Sequence, residues 1–238
     1  MDKINTIALQ NVSQTYQQNK EVLSNITLAF STANVTALLG KSGSGKSTLL
    51  QLINGMLKPS KGEVVVFGNT FDYRRANKIR LNIGYVVQQV GLFPHLNVYK
   101  NISLLGKITK MPPLSIKARV ESLMNTVQLP LSYLEKFPHE LSGGEQQRAG
   151  LCRALFLKPA ILLMDEPFAA LDYATKNALY QYFLMLQKSE PCTVILVTHD
   201  WNEAMTLADE YVWLENGKIK NKGTKNQLAL IQSDYQSA

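Results

Sequence analysis

The sequence predicts an α/β layered fold, and three observations carry the prediction. Three short segments, at 35–39, 161–164 and 194–197, are almost wholly apolar, as strands of a parallel sheet covered on both faces are. Helical patterns lie between them: in LSIKARVESLMNTVQL, Ile116, Val120, Leu123, Met124 and Val127 fall on one face at 3.6 periodicity. The third observation is the string GKSGSGKST at 40–48, which directly follows the first of these strands and precedes the helical run LLQLING.

Taken in order, residues 6–12, 26–30 and 63–67 alternate loosely between apolar and polar, as half-exposed antiparallel strands do. KMPPLS at 110–115 reads as a connector, with Met111 there for packing. Residues 174–186 and 201–208 are further helix candidates, and no internal repeat or low-complexity tract occurs. The order argues for an α/β core at 1–89 and 159–238, interrupted by a mostly helical insertion at about 90–158.

A chain of 238 residues with 45% hydrophobic and 18% charged content can build one large domain or a core with a subdomain. The N-terminal stretch MDKINTIALQNVSQTYQQNK has no apolar core of a secretory signal, and no apolar run approaches the ~18 residues of a membrane span. Work at a membrane would therefore need another subunit as anchor. Cys152 and Cys192, the only cysteines, stand far apart in apolar settings and read as reduced packing thiols. The net charge of +7 would suit a polyanion, but the basic residues are scattered. Arg74, Arg75, Lys78 and Arg80 lie in one stretch, Lys218, Lys220, Lys222 and Lys225 in another, and a solvated face is the reading preferred to a nucleic-acid footprint.

The string at 40–48 is a phosphate cradle in the context that gives it meaning. Gly40, Gly43 and Gly45 let backbone N–H groups curl around phosphate oxygens, and the following helix start adds partial positive charge. Lys46 is expected to reach the β- and γ-phosphates, and the Ser47 hydroxyl to ligate Mg²⁺. A buried strand ending in two carboxylates, ILLMDEP, is costly unless a cation or a reaction needs them. Asp165 stands where a metal-coordinating acid follows such a strand, and Glu166 is placed to polarise an attacking water. The base-recognition pattern NKxD of guanine-nucleotide proteins is missing, since NKEV, NKIR and NKGT all lack the Asp.

The stretch ELSGGEQQRAGLCRALF, 140–156, completes the reading. Ser142 is a good N-cap, and Glu145 three residues on makes a capping box. Gly143 and Gly144 nevertheless occupy the first turn, where each costs about 0.5–1 kcal/mol against alanine. Bare backbone there implies a close approach.

With LSGGEQQR in place, the sequence resembles the ATP-binding subunits of ABC transporters from about residue 4 to 228. Residues 141–148 look like that family's signature, 40–47 its Walker A, 161–166 its Walker B with the catalytic Glu166, and AALD at 169–172 its D-loop with Asp172. VTHD holds the switch histidine as His199, GYVVQQVGLFPH resembles the Q-loop segment with Gln88 rather than Gln89 at the matching position, and Tyr16 lies where the family stacks adenine.

The resemblance implies a P-loop NTPase core with a mostly parallel sheet, an antiparallel β subdomain and a helical subdomain, in a single cassette spanning 1–238. It implies ATP held through Tyr16, Gly40, Lys41, Ser42, Gly43, Ser44, Gly45, Lys46, Ser47 and Thr48, with Mg²⁺ on Ser47, Gln88 and Asp165 and catalysis by Glu166, His199 and Gln88. Ser142, Gly143, Gly144 and Glu145 would face the γ-phosphate held by a second subunit in a head-to-tail, ATP-dependent dimer. His95 and His139 are expected to serve structure or an interface. An integral-membrane permease subunit would couple near 91–98, and a solute-binding protein would act indirectly, with the chain peripheral on the cytoplasmic face and no nucleic acid expected.

VVQQVGLFPH together with FPHELSGGEQQRAG and LLMDEPFAALD looks most like importers of osmoprotectants and quaternary amines such as glycine betaine or choline. Amino-acid importers and export-type motors are the alternatives. A soluble ABC-type ATPase acting on nucleic acid is a further class, against which stand the single cassette and the absence of a heptad run. The end soon after GKIKNKGTKNQLALIQ leaves no expectation of tandem regulatory modules. Cys152 and Trp201 are less usual at their positions.

Overall fold

The computed structural model describes residues 6–16, 20–88, 91–169 and 171–232. They gather into two compact units, Met1–Ile83 with Cys192–Ala238, and Gly84–Pro191.

The first unit holds two sheets. Strands β1 (Ile7–Tyr16), β2 (Lys20–Phe30), β4 (Lys61–Val66) and β5 (Asn69–Thr70) form an antiparallel sheet in the order β2-β1-β4-β5. The loose alternation read from the sequence is the one-sided burial of this sheet, with Ile7, Leu9, Ile26, Leu28, Val64 and Val66 inside. β1 runs past the expected end at 12 because Asn11 takes φ +51 and shifts the register, which breaks the alternation without ending the strand.

The second sheet is built around β3 (Val35–Leu39), every residue of which is buried. β8 (Thr193–Val197) and β9 (Glu210–Glu215) flank it in parallel, and β10 (Lys218–Thr224) closes the edge antiparallel to β9. Because β3 and β8 are parallel, with Leu38 opposite Val197, the segments after both strands leave the sheet at the same end. Among its described residues this unit has the helices α1 (Lys46–Ile53), α2 (Ala76–Arg80), α7 (Trp201–Leu207) and α8 (Lys225–Leu230). Arg80, one of the scattered cations, donates from Nε to Asn54 O and from Nη2 to Gly55 O at 3.0 and 2.8 Å, closing the end of α1.

The second unit carries β6 (Ile83–Val86, its first residue in the other unit), neighbouring β7 (Ile161–Asp165), and four helices. These are α3 (Val98–Ile108), α4 (Pro113–Thr126), α5 (Gly143–Leu155) and α6 (Tyr173–Ser189). The KMPPLS connector is shorter than the sequence suggests, since Pro113 opens α4 at the one helical position where proline's missing N–H costs nothing. The sequence puts the helical insertion at about 90–158; the compact unit Gly84–Pro191 also takes in β7 and α6, which packs on α4 and α5. Among the described residues no helix is long and apolar enough to cross a membrane.

Candidate functional site

In the first unit, β3 runs straight into the phosphate loop. Gly45 is the N-cap of α1 in the left-handed conformation, φ +103, and a Cβ there would stand 2.6 Å from Leu23 Cδ2, so only glycine fits. At Gly43 the surrounding space is open, which leaves room for a ligand against the backbone. Lys46 is buried and folds its ammonium back over the loop, donating to Gly40 O at 2.7 Å and Lys41 O at 2.9 Å. The Ser44 hydroxyl is buried with no hydrogen-bond partner. An ammonium, an orphaned hydroxyl and a helix start converging on an open glycine corner fit a bound phosphate chain. Tyr16, 41% exposed, stands at the rim with its hydroxyl 3.4 Å from Thr48 Oγ1, tethering the ring to the first turn of α1.

His199 follows β8 and lies exposed beside the loop, lining with Gly40–Ser44, Asp200, Trp201 and the Trp213–Asn216 turn a cleft of about 870 Å³. Its backbone is fixed from both sides. Buried Thr198 donates to buried Glu203 at 2.6 Å and accepts from Asp200 N at 2.9 Å, while Asp200 caps α7 by accepting from Asn202 N at 2.9 Å. Sequence reasoning missed Glu203. Its signal was a carboxylate three residues after Asp200 on a helix start.

In the second unit, β7 delivers Asp165 and then turns sharply, with Glu166 at φ +45, a left-handed conformation a non-glycine residue rarely adopts. That turn presents the Glu166 carboxylate to Gln88, whose amide donates to Oε2 at 3.3 Å. Two residues 78 apart in sequence, both expected in catalysis, are therefore in contact. Gln147, buried on α5, donates to Pro167 O and pins the far side of the turn. Tyr85, on β6, has its phenol pushed up to about 12 by burial and by the Asp165 charge, so it stays neutral beside the acid. Gln89 and Ala170, quoted in the Q-loop and D-loop strings, lie outside the described residues.

The signature segment is a helix start with both capping-box bonds made: Ser142 N donates to Glu145 Oε2 at 2.8 Å and Glu145 N to Ser142 Oγ at 3.4 Å. Burial works against ionised Glu145, but the Ser142 and Tyr133 hydrogen bonds and Arg148 outweigh it and hold its carboxyl below the usual range. The two glycines differ. A Cβ on Gly144 would stand 2.6 Å from Thr175 Cγ2, whereas one on Gly143 would meet only Leu171 Cδ2, at 3.6 Å. Gly144 thus has a packing reason inside the chain, and Gly143 faces outward. Asp172 caps α6, accepting from Thr175 N at 3.0 Å and from its hydroxyl at 2.6 Å, and these bonds lower its carboxyl's pKa.

The segment expected to meet a membrane subunit is also held by side chains. Asn101, fully buried, accepts from Phe93 N at 2.8 Å and donates to Leu96 O at 2.8 Å, and Arg153 donates to Gly91 O at 2.7 Å. His95 lies edge-on to half-exposed Phe93, and His139 stacks on Phe137, so both pack against aromatic rings. Cys152 is fully buried, which pushes its thiol up to about 12 despite nearby Arg119 and Arg148 and makes it unreactive.

A phosphate loop after a buried parallel strand, an acidic pair ending a second strand and a capped glycine-rich helix start define a nucleotide-binding α/β cassette of the P-loop class. Comparison with known proteins places it further: the chain belongs to the ABC transporter family, whose profile matches residues 23–169. It is 41% identical over 228 residues to a choline transport ATP-binding protein, OpuBA, of Bacillus subtilis, a match covering 96% of this chain and 60% of that protein. With a glycine betaine/carnitine/choline transport ATP-binding protein, OpuCA, of the same organism the identity is 40%, covering 93% and 58%. The chain thus spans about three fifths of these relatives' length. The dimeric structure of the bacterial ABC transporter cassette MJ0796 superposes with a TM-score of 0.82 at 33% identity, covering 92% of this chain and 98% of that one.

Proposed function

We propose that this chain is the ATP-hydrolysing subunit of an importer for osmoprotectants or quaternary amines such as choline or glycine betaine. A separate integral-membrane permease carries the solute, a binding protein delivers it, and this chain sits on the cytoplasmic face. The observation that carries the ATP-hydrolysing part of the reading is the outward-facing, capped start of α5 at Ser142–Gly143, a second helix start besides the phosphate loop. Relatives named for choline and glycine betaine transport support the solute class.

In this reading the backbone of 40–45 and the Lys46 ammonium hold the β- and γ-phosphates, with Tyr16 against the base. Lys46 exchanges its loop carbonyls for phosphate oxygens. The oxygen donors Ser47, Gln88 and Asp165 suit Mg²⁺, which when bound neutralises developing phosphate charge. Glu166, held by Gln88, orients water toward the γ-phosphorus, and His199 contacts that phosphate. Ser142 and Gly143 of a second copy close the site, so hydrolysis removes the contact that both copies share.

Glu166→Gln is expected to lower steady-state ATP hydrolysis at least ~100-fold while leaving ATP binding intact, since it removes the group that takes the water proton. Unchanged hydrolysis would remove Glu166 from the mechanism. In vesicles carrying the chain with its permease and binding protein, ATP-driven uptake of choline or glycine betaine is expected. Hydrolysis without uptake of either would overturn the solute class and leave the motor standing.

A further inference from the structure

Among the described residues, the buried charged side chains are those of Lys46 and Glu203. Lys46 belongs to the phosphate loop. Glu203, 2% exposed, is the third residue of α7, the helix that follows His199. Burying a carboxylate is costly unless hydrogen bonds compensate, and an apolar residue would fill the same face of α7 without that cost. Packing alone therefore does not account for Glu203.

Its partner shows what it does. Thr198, also buried, donates its hydroxyl proton to Glu203 Oε2 at 2.6 Å, a short bond of the kind hydroxyls make to carboxylates. The same hydroxyl oxygen accepts from Asp200 N at 2.9 Å, which makes a hydroxyl-closed turn with His199 as its middle residue. A threonine hydroxyl carries one proton and rotates to suit its surroundings. With Glu203 holding that proton, the oxygen's lone pairs are left for Asp200 N. The Thr198 amide donates to Leu38 O at 3.3 Å, on the strand that runs into the phosphate loop. Asp200 caps α7 and so places Glu203, which closes the circuit. His199 is thus carried on a turn keyed to β3 on one side and to α7 on the other.

We propose that Glu203 is a positioning residue for ATP hydrolysis: by orienting the Thr198 hydroxyl it locks the turn that presents His199 to the γ-phosphate. The inference rests on the reading above that His199 makes that contact. Glu203 is buried and acts only through Thr198 and His199. Without its acceptor the hydroxyl is released, Asp200 N loses a fixed partner, and the imidazole no longer holds one position beside the phosphate loop. Nucleotide binding, which the loop itself carries, is spared.

The test compares the unmodified chain with Glu203→Met, which keeps size and removes the acceptor, and with Thr198→Val, which keeps shape and removes the hydroxyl. Each should lower kcat for ATP hydrolysis about tenfold while KM for ATP stays within about twofold, and the double variant should be no worse than either. Glu203→Gln and Thr198→Ser keep an acceptor and a hydroxyl, and should retain most of the rate. The position of His199 is read from its imidazole NMR resonances in the Glu166→Gln chain with ATP and Mg²⁺, which Glu203→Met should move or broaden. Denaturation curves show whether each variant folds; should Glu203→Met fail to, Thr198→Val decides. Unchanged kcat in the folded variants, or a fall in kcat with the His199 resonances unmoved, would overturn the proposal and leave the role of His199 standing. A His199→Ala chain that hydrolyses ATP at the full rate would overturn both.

Discussion

Gly143 and Gly144 are adjacent in sequence yet answer to different constraints. At Gly144 an added methyl meets Thr175 Cγ2 at 2.6 Å, and the Thr175 side chain cannot swing away without losing its hydroxyl's bond to Asp172. Gly144→Ala is therefore expected to cost about 1–3 kcal/mol through overpacking. Thr175→Ser in the same chain should recover most of that, because it deletes the methyl and keeps the hydroxyl. Gly143→Ala meets no such wall and should stabilise the chain by about 0.5–1 kcal/mol through helix propensity while lowering ATPase activity. Chemical denaturation of the four chains, with hydrolysis measured alongside, separates the two. Stabilisation with full activity at position 143 would show that nothing approaches that glycine. The sequence made the pair visible as a cost without a local reason; it could not show which residue faces Thr175, because that contact links a helix start to another helix 31 positions on. Ser142 and Glu145 were legible as a box because capping is local. The Gln88–Glu166 contact was legible only through resemblance, and the left-handed turn at Glu166 not at all.

Among the elements, the ends of α5 and α6 are joined by one cation. Arg119, on α4, donates from Nε to Phe156 O at 2.9 Å and from Nη2 to Leu155 O at 2.6 Å, satisfying carbonyls at the end of α5. The rest of its guanidinium forks onto Glu190, which closes α6 and also lies 3.7 Å from Lys158. Burial alone would raise the Glu190 carboxyl, but Arg119 and Lys158 overcome it and hold it below the ordinary 4.5. A depressed folded value means the contribution is complete above that ordinary value and is lost as pH falls through the lower folded one. Glu190→Gln should destabilise the chain by about 2–3 kcal/mol at pH 7, since it leaves a mostly buried guanidinium without its counter-charge. The gap between the two chains should narrow below pH 4.5. A gap that is the same at pH 7 and pH 4 would mean the charge is not what matters. Elements with a single period were legible from sequence: β3, β7, β8 and α4 stand close to where their apolar patterns put them. The β9–β10 hairpin was passed over although Asn216–Gly217, at φ +49 and +74, is the strongest short turn signal there is. Its β10 strand is lysine-rich and solvent-facing, and without an apolar face it gives no alternation to read.

At the scale of the molecule, the features expected in one reaction are shared between two compact units: Lys46, Ser47 and His199 in one, Gln88, Asp165, Glu166 and the start of α5 in the other. If sites are completed between copies, a defect in the phosphate loop and a defect at the α5 start should complement each other. Take a Lys46→Ala chain and a Ser142→Arg chain. Alone, each can at most pair with itself, so any site it forms lacks either the phosphate-binding ammonium or the closing helix start, and both are expected to be inactive. In a mixed pair one site combines the two defects, but the other joins the intact phosphate loop of one chain to the intact α5 start of its partner. Where the chains pair at random, half of the pairs are mixed and each has one good site of two, so an equal mixture should recover about a quarter of the unmodified rate, and more where the self-pairs fail to form. Hydrolysis measured on each chain and on the mixture, across a range of total protein, provides the check. No recovery at any concentration would mean that each chain completes its own site or that both sites must fire together. A Glu166→Gln partner in place of Ser142→Arg asks instead which copy supplies the carboxylate. Paired with Lys46→Ala it leaves no site with both an intact phosphate loop and a catalytic carboxylate, so activity from that second mixture would show that Glu166 serves a phosphate loop other than its own.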